Sequence, residues 1–332
     1  MPEAFPRVAV VVVSYNGTEV TLEALASLAR MDYPAFDLVL VDNGSTDGVG
    51  ETVASAFPRV EQIRLEVNEG SSAGYASGLA WGVELGYDYV LLLNNDIEVE
   101  PSMLREMVRL AESDPGIGCV GPKACYFERR DHLWSAGGKL RFRNAITHER
   151  GYGEPDRGQF DRDEEVDYVN GCAILIRRAA AQAAGAWDPV FHICVDDADF
   201  CTRVRRAGLR CAFASRAVLY HRVAFSVGPY GPARNFQFGR STAIYVRRYA
   251  RPWQWASYLA FTAAAFVAAY LRELPRGRQA AVVAKLKGLW AGLRMELPPS
   301  PAPVHREGGC KTSGGGLNTG TAPSRELPAG GG

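Results

Sequence analysis

Charge imbalance is what this chain most plainly lacks: 37 Lys and Arg face 37 Asp and Glu over 332 residues. Without a basic excess there is no general hold on a phosphate backbone, so nucleic acid is not an expected partner. Histidine is scarce, with five copies, so any imidazole chemistry has few places to come from. Seven cysteines (Cys119, Cys125, Cys172, Cys194, Cys201, Cys211 and Cys310) make no Cys-x-x-Cys pair and no zinc spacing. An odd number scattered through apolar segments points to free thiols in a reducing compartment. No basic region, apolar core and cleavage site precede the first strand at Val8, so no secretory signal is expected. No Walker A sequence occurs. One Gly-x-Gly-x-x-Gly does, over residues 116–121, but it follows a helical stretch and runs into Pro122 where a helix should open. It is not a dinucleotide fingerprint.

What is present is alternation. With 47% hydrophobic residues the chain can bury a full core. Residues 8–13 are a continuous apolar run, the mark of a strand buried on both faces. A helix follows, with Thr18 as its cap and Leu22, Leu25 and Leu28 along one face. A second strand over 38–41 leads to a helix capped by Ser45 or Thr46 and ending near Phe57. A third strand spans 60–65, and a glycine-rich stretch opens the helix that ends near Gly86. Residues 89–93 are the fourth strand, and a helix over 102–113 comes after Pro101. Four strand–helix units predict an α/β fold with a mostly parallel, right-handed wound sheet.

In such sheets ligands bind beyond the carboxyl ends of the strands. Polar residues collect there: Ser14, Tyr15 and Asn16 after the first strand, Asp42 after the second, Asn94, Asn95 and Asp96 after the fourth. Asp42 is placed to accept hydrogen bonds from the ribose or base of a nucleotide, with an Asx-turn as the alternative. Gly70, Gly74 and Gly78 allow close approach of a ligand or of a helix to the sheet; the packing reading is favoured for the last two. Asp96, beside a carbonyl-bearing neighbour, suits Mg²⁺ or Mn²⁺, which take oxygen ligands and bridge to phosphates. A polar turn after a strand is the alternative.

Beyond residue 121 the period changes, and strands are expected over 123–127, 133–142 and 166–176. The polar stretch 151–165 is expected to be a mobile loop over the site. Gly171, Cys172 and Ala173 leave room for a substrate, or mark a bulge. Asp196, Asp197 and Asp199 open a helix that ends in Arg203, Arg205 and Arg206. Acids first and bases last complement the helix macrodipole. Three acids in four positions also place a general base at the helix start. A strand over 209–219 then delivers His221, either a metal ligand through its neutral imidazole or a structural histidine.

From Pro232 the chain changes character. Residues 253–271 run without a charge between Arg251 and Arg272, long enough for a membrane span but only moderately apolar. Trp253, Trp255 and Tyr258 resemble an interfacial aromatic belt, and a basic helix over 279–294 follows. Attachment to an anionic membrane face is expected, with a helical hairpin packed on the preceding domain as the alternative. The chain thus divides into a catalytic domain (1–231), a helical membrane-associating segment (232–297) and a disordered Gly/Pro/Ser-rich tail (298–332).

Four motifs stand in a telling order: Val-Val-Val-Ser-Tyr-Asn (11–16), Val-Asp-Asn-Gly-Ser-Thr-Asp-Gly (41–48), Asn-Asn-Asp (94–96) and Asp-Asp-Ala-Asp-Phe (196–200). Together with Asn68 and His221 they make the chain resemble the family 2 glycosyltransferases of GT-A fold, especially the bacterial rhamnosyltransferase-like branch. The resemblance covers residues 8–221 and extends more weakly to 251. It implies inverting transfer of a sugar, with rhamnose foremost, from a nucleotide-diphosphate donor. The acceptor it implies is a hydroxyl of a lipid-linked or polysaccharide molecule in cell-envelope glycan synthesis, met in the cytoplasm at the inner face of the plasma membrane. It implies donor binding by Ser14, Tyr15, Asn16, Asp42, Asn68, Gly70, Asn94 and Asn95, and Mg²⁺ or Mn²⁺ on Asp96 with His221. Asp197 would be the general base, with Asp196 beside it. Asn94 stands where the family's metal motif has Asp, and Asp196 where its acidic pair has Glu. Two alternatives stay open. A sugar-phosphate nucleotidyltransferase would want a Gly-rich, Arg/Lys-bearing phosphate loop near residue 14, which is missing. A non-catalytic nucleotide-sugar-binding protein leaves the acids at 196–199 unexplained.

Overall fold

Alternate residues of the first strand, β1 (Val8–Ser14), go to opposite faces of one sheet, and each face is dry. Val8, Val10 and Val12 join one apolar layer; Ala9, Val11 and Val13 join the other. A strand buried on both sides has no polar face, which is why the run carries no alternation. The computed structural model describes residues 5–142, 146–223 and 231–301. After β1 come α1 (Thr18–Leu28), β2 (Phe36–Asn43), α2 (Val49–Ala56), β3 (Glu61–Leu65), α3 (Ser71–Glu84) and β4 (Tyr89–Asn94). The chain continues through β5 (Ile97–Val99), α4 (Met103–Glu112), β6 (Ile117–Tyr126), β7 (Leu133–Ser135), β8 (Gly138–Leu140), β9 (Thr147–Glu149), β10 (Glu164–Val166) and β11 (Ala173–Arg177). Then follow α5 (Arg178–Ala184), a 3-10 turn (Pro189–Phe191), α6 (Asp196–Arg206), β12 (Arg210–His221), α7 (Pro232–Tyr249), α8 (Pro252–Glu273) and α9 (Gln279–Arg294).

The main sheet runs β10-β12-β6-β11-β4-β1-β2-β3. The pairs β3–β2, β2–β1, β1–β4 and β6–β12 are parallel, while β11 enters antiparallel between β4 and β6. Helices α1, α2 and α4 cover one face; α3, α5, α6 and α7 cover the other. Gly74 and Gly78 are packing positions, as favoured: a Cβ there would lie 2.5 Å and 2.4 Å from the Cγ1 atoms of Val13 and Val11. The six described cysteines are free thiols.

Several local expectations are corrected. Thr18 does not cap α1; Gly17 holds that place in the left-handed region, and the Thr18 amide and hydroxyl both donate to Asp47. Neither Ser45 nor Thr46 caps α2, which starts after Gly48; their amides instead donate to Asp42 and Asn16. The glycine run 116–121 leads into β6, where Gly118 makes room for Val204 and Ala180. The strand expected over 133–142 is two short ones, broken where Gly137 turns at φ 72°. That expected over 166–176 is the end of β10 and the whole of β11. The stretch 151–165 does not roof the site. It is tied along the sheet edge because Lys123, buried in mid-strand, needs counter-charges, and takes Asp156 at 2.9 Å and Asp161 at 2.5 Å.

The C-terminal helices differ from one another. α7 is part of the main apolar core, with Ala243, Ile244, Tyr245 and Val246 buried. α9 lies against α7 at backbone contact: a Cβ on Gly288 would sit 1.9 Å from the Phe236 carbonyl oxygen, and one on Gly239 2.1 Å from that of Lys285. α8 is largely exposed, and only Tyr258 and Glu273 are buried in it. No helix among the described residues is long and apolar enough to cross a membrane, so residues 253–271 are not a span. Most of the expected tail, from residue 302, lies outside the described residues.

One buried carboxylate ties α6 to α7. Asp199, fully enclosed, accepts from Arg203 Nε at 2.8 Å, the Tyr249 hydroxyl at 2.7 Å and Arg248 Nη1 at 3.3 Å. Replacing it leaves Arg203 without a carboxylate partner in the interior and Arg248 with Asp188 alone. Asp199→Asn should cost about 3–5 kcal/mol of stability. Urea unfolding measures this; a loss under about 1 kcal/mol would show that α7 is not anchored here.

Candidate active site

Strand direction brings the chemistry to one edge. β1, β2 and β4 end there in Ser14, Asn43 and Asn94; β11 runs the other way, so its entry, Gly171 and Cys172, lies at the same edge. β12 ends there in His221. Short β5 folds back antiparallel on β12 with Ile97 opposite His221, and this lays Asp96 beside the imidazole: Nε2 and Oδ1 are 3.1 Å apart. These ends, the start of α3, the start of α6 and the first turns of α7 enclose a cleft of about 560 Å³, the size of a small-molecule site.

Tyr15, Asn68, Gly70, Asn94, Asn95, Asp96, Asp196, Asp197 and His221 all line it. Ser14, Asn16 and Asp42 do not; they build its floor and loops. Ser14 is wholly buried, its hydroxyl 3.0 Å from Thr21 Oγ1, and Asn95 Nδ2 donates to both hydroxyls, which staples β1, α1 and β4 together. Asn16 takes the Thr46 amide on its side chain and gives its own amide to Ser45 Oγ. Asp42 makes the Asx-turn: its carboxylate accepts from the Ser45 amide at 2.8 Å and from Arg64 at 3.1 Å. Asn43, one residue on, faces the cleft instead. Its Nδ2 donates to Asn68 Oδ1 and the Gly70 carbonyl, and its buried Oδ1 has no partner among the described residues. Gly70, at φ 90°, must be glycine, because a Cβ would fall 2.2 Å from the His192 carbonyl oxygen.

The acidic pair sits at the end of a strained turn. His192, Cys194 and Val195 all have left-handed φ, at 62°, 68° and 63°, a conformation that costs a β-branched residue most. Ser241 of α7 holds the turn by donating to the Phe191 and Ile193 carbonyls, and the Ser72 amide donates to that of His192. The two carboxylates that follow are held differently. Asp196 Oδ2 takes two side-chain donors, Ser72 Oγ at 2.8 Å and Trp187 Nε1 at 3.0 Å. Half-buried Asp197 takes two backbone amides, Gly171 at 2.9 Å and Ala198 at 2.7 Å. Both groups are raised above the ordinary carboxylate range, Asp197 to about 8. Burial is the main cause for each; for Asp197 the neighbouring Asp196 charge and then Glu149 add to it. A carboxylate held near neutrality and open to the cleft can take a proton from a bound hydroxyl.

Several residues here gave no sign in the sequence. Glu149 of β9, bonded to Ser135, Tyr168 and Asn170, adds negative charge behind Asp197. The Tyr75 hydroxyl donates to Asn94 Oδ1 and lies 3.0 Å from the Gly171 carbonyl. Arg234, from α7, brings a guanidinium to the cleft. Only Asn43, next to Asp42, and the small run at 171–173 carried a local signal.

Asp96 and His221 suit a divalent ion. Their donor atoms, 3.1 Å apart, match the ~3 Å between adjacent ligands of an octahedral ion with bonds of about 2.0–2.1 Å. The charge around them agrees. Asp96, Asp196 and Asp197 line a cleft whose one lining guanidinium among the described residues is Arg234, so a diphosphate entering it needs a further cation.

A doubly covered, mainly parallel sheet with acids and amides gathered at one end defines a GT-A glycosyltransferase fold. The structure is similar to that of a mannosyltransferase from Pyrobaculum calidifontis in complex with GDP-Man and Mn²⁺, with a TM-score of 0.57, 17% identity and 88% of each chain covered. Residues 6–255 match the family model described as "Glycosyltransferase like family 2", and the chain belongs to that family. Among curated relatives, an N-acetylglucosaminyl-diphospho-decaprenol L-rhamnosyltransferase of Mycobacterium tuberculosis is 24% identical over 66% of this chain and 77% of its own length. The uncharacterized protein y4gI of Sinorhizobium fredii is 29% identical over 74% of this chain, and the match spans only 28% of that longer protein.

The raised carboxyl groups have a consequence for stability. The unfolded chain gives up these protons near the ordinary value of about 4, before the folded protein does. Over the interval up to the raised folded value the native state binds more protons, so this pair makes stability fall as pH rises. Asp197→Asn should therefore be at least as stable as the parent at pH 8, with the difference shrinking toward pH 4. Unfolding midpoints at the two pH values test this; a variant less stable only at pH 8 would mean that the ionised carboxylate is favoured by the fold.

Proposed function

We propose that the protein transfers a sugar from a nucleotide-diphosphate donor to an acceptor hydroxyl with inversion at the anomeric carbon. One observation carries the reading. Asp196 and Asp197 share a cleft with the Asp96–His221 pair, and only Asp197 keeps its carboxylate clear of side-chain donors. The acceptor oxygen attacks the anomeric carbon, its proton passes to Asp197, and the nucleoside diphosphate leaves from the opposite face with the electron pair of the broken C–O bond. Asp196 positions Asp197 and the start of α3 rather than taking the proton. Tyr15, Asn43, Asn68, Gly70, Asn94 and Asn95 line the donor side of the cleft; Ser14, Asn16 and Asp42 act on the donor through the loops they hold. Asp96 and His221 would hold Mg²⁺ or Mn²⁺, which supplies charge neutralisation at the leaving diphosphate. Arg234 adds a fixed positive charge at the same cleft.

The rhamnosyltransferase relative, named for a lipid-linked sugar acceptor, supports a lipid-linked or polysaccharide acceptor and makes dTDP-rhamnose the first donor to try, with UDP-sugars next. The exposed α8, without charge over residues 253–271, beside basic α9 supports work at the inner face of the plasma membrane.

Asp197→Asn keeps the shape and loses the base, so kcat should fall by ~10²–10⁴ with donor Kd little changed. Asp196→Asn should lose less. Steady-state rates and donor binding across the two variants decide it: a dead Asp196→Asn beside a normal Asp197→Asn reverses the roles. Excess EDTA or Asp96→Ala should abolish turnover, restored in the parent by Mn²⁺ or Mg²⁺. Full activity in EDTA together with an active Asp96→Ala removes the metal from the reading.

A further inference from the structure

A second cavity, of about 520 Å³, lies between α7, α8 and α9. Its walls are mostly apolar, with Tyr258, Phe266, Ala269, Val282, Leu286 and Leu289, and two cations stand among them, Arg272 and Lys285. Arg272 is paired with Glu273 at 2.8 Å. Lys285 makes no ion pair among the described residues; its ammonium sits 4.9 Å from the centre of the Phe238 ring. Burial lowers its pKa, and no acidic neighbour offsets this. A cation kept in an apolar wall without a carboxylate is costly unless a ligand anion meets it. The first turns of α7 separate this cavity from the active-site cleft. Ala233, Arg234, Phe236 and Gln237 face the cleft, while Asn235 and Gly239 face the cavity. On the outside, Trp253, Leu259, Phe261, Val267 and Leu271 of α8 stand about half or more exposed. Residues 251–294 carry seven Lys and Arg against one acidic residue, Glu273.

We propose that this cavity takes the hydrocarbon chain of a lipid-phosphate acceptor, with Lys285 against its phosphate and the sugar-bearing head turned over α7 into the cleft. This deepens the glycosyl-transfer reading and rests on it. The charge complementarity selects an anionic amphiphile: an apolar slot of ligand size, one unneutralised ammonium in its wall, and an uncharged helix beside it that enters the leaflet edge. A bulk phospholipid could satisfy α8 from outside, but the slot between the helices, with its own unpaired cation, selects the acceptor lipid.

The test is binding, without any sugar donor, by the full chain. Undecaprenyl phosphate in zwitterionic vesicles is titrated against citronellyl phosphate and against vesicles with phosphatidylglycerol. The long chain should bind at least ~10-fold more tightly than the short one, a margin that burial of two further methylenes already supplies. Ala269→Trp and the milder Ala265→Phe, which fill the slot, should lose that margin; Lys285→Met should weaken both phosphates about tenfold. Far-UV circular dichroism and the unfolding midpoint establish that each variant is folded. If the folded fillers bind the long chain as the parent does, or if phosphatidylglycerol competes equally and Lys285→Met changes nothing, the cavity is not the site. Because no turnover is read, lipid binding that holds while no donor is ever consumed would sink the transferase reading and not this one. Transfer to a soluble glycan with no lipid binding would do the reverse.

Discussion

Four carboxylates converge on one end of the sheet, and most of the surrounding structure answers the cost of keeping them there. Charge taken out of water must be met by hydrogen bonds or opposite charge. Asp96 is met by His221, Asp196 by Ser72 and Trp187, Asp197 by two backbone amides, and Glu149 by Ser135, Tyr168 and Asn170. The start of α6 adds its own partial positive charge beneath the pair. What the fold leaves unmet is the repulsion between these carboxyls, which a divalent cation entering the cleft with a diphosphate would relieve.

The C-terminal helices fall into two kinds. α7 cannot be separated from the catalytic core. It supplies Ser241 to the strained turn before α6, Arg248 and Tyr249 to Asp199, and Arg234 to the cleft. α9 is bound to α7 through glycines that bring the two backbones into contact. α8 is different, touching the rest mainly through Tyr258 and its C-terminal end. Between Trp253 and Leu271 it carries no charge, and most of that surface is left uncovered. α7 and α9 thus form a close-packed base that carries α8 beside the cleft.

Much of the architecture was legible because it rests on local pattern. Unbroken valine and leucine runs can only be strands with two covered faces, and their alternation with helical periods implied the wound sheet. The carboxyl ends were legible for the same reason: Asn94, Asn95 and Asp96 follow directly on such a run, and nine of the residues expected at the site do line one cleft. What failed locally were the caps. Gly17 and Gly48 precede the helices where Thr18, Ser45 or Thr46 were expected, because those side chains and amides are used to tie the β1 and β2 loops to each other.

The sequence by itself determined the sheet, its ligand-binding edge and the acids that would stand there, since each follows from hydrophobic period and the chemistry of a single segment. Tertiary structure alone decided which of them face the cleft. Asp42 and Asn43 are neighbours on one strand, yet the pleat and Arg64 turn the first into the loop and leave the second open. Asp196 and Asp197 have the same chemistry, and only Ser72 and Trp187, brought from other elements, make them unequal. Glu149, Tyr75 and Arg234 reach the site from distant parts of the chain. No pattern marks them beforehand, because desolvation and hydrogen-bond partners belong to positions in space, and residues 75, 149, 197 and 234 become neighbours only when the chain is folded.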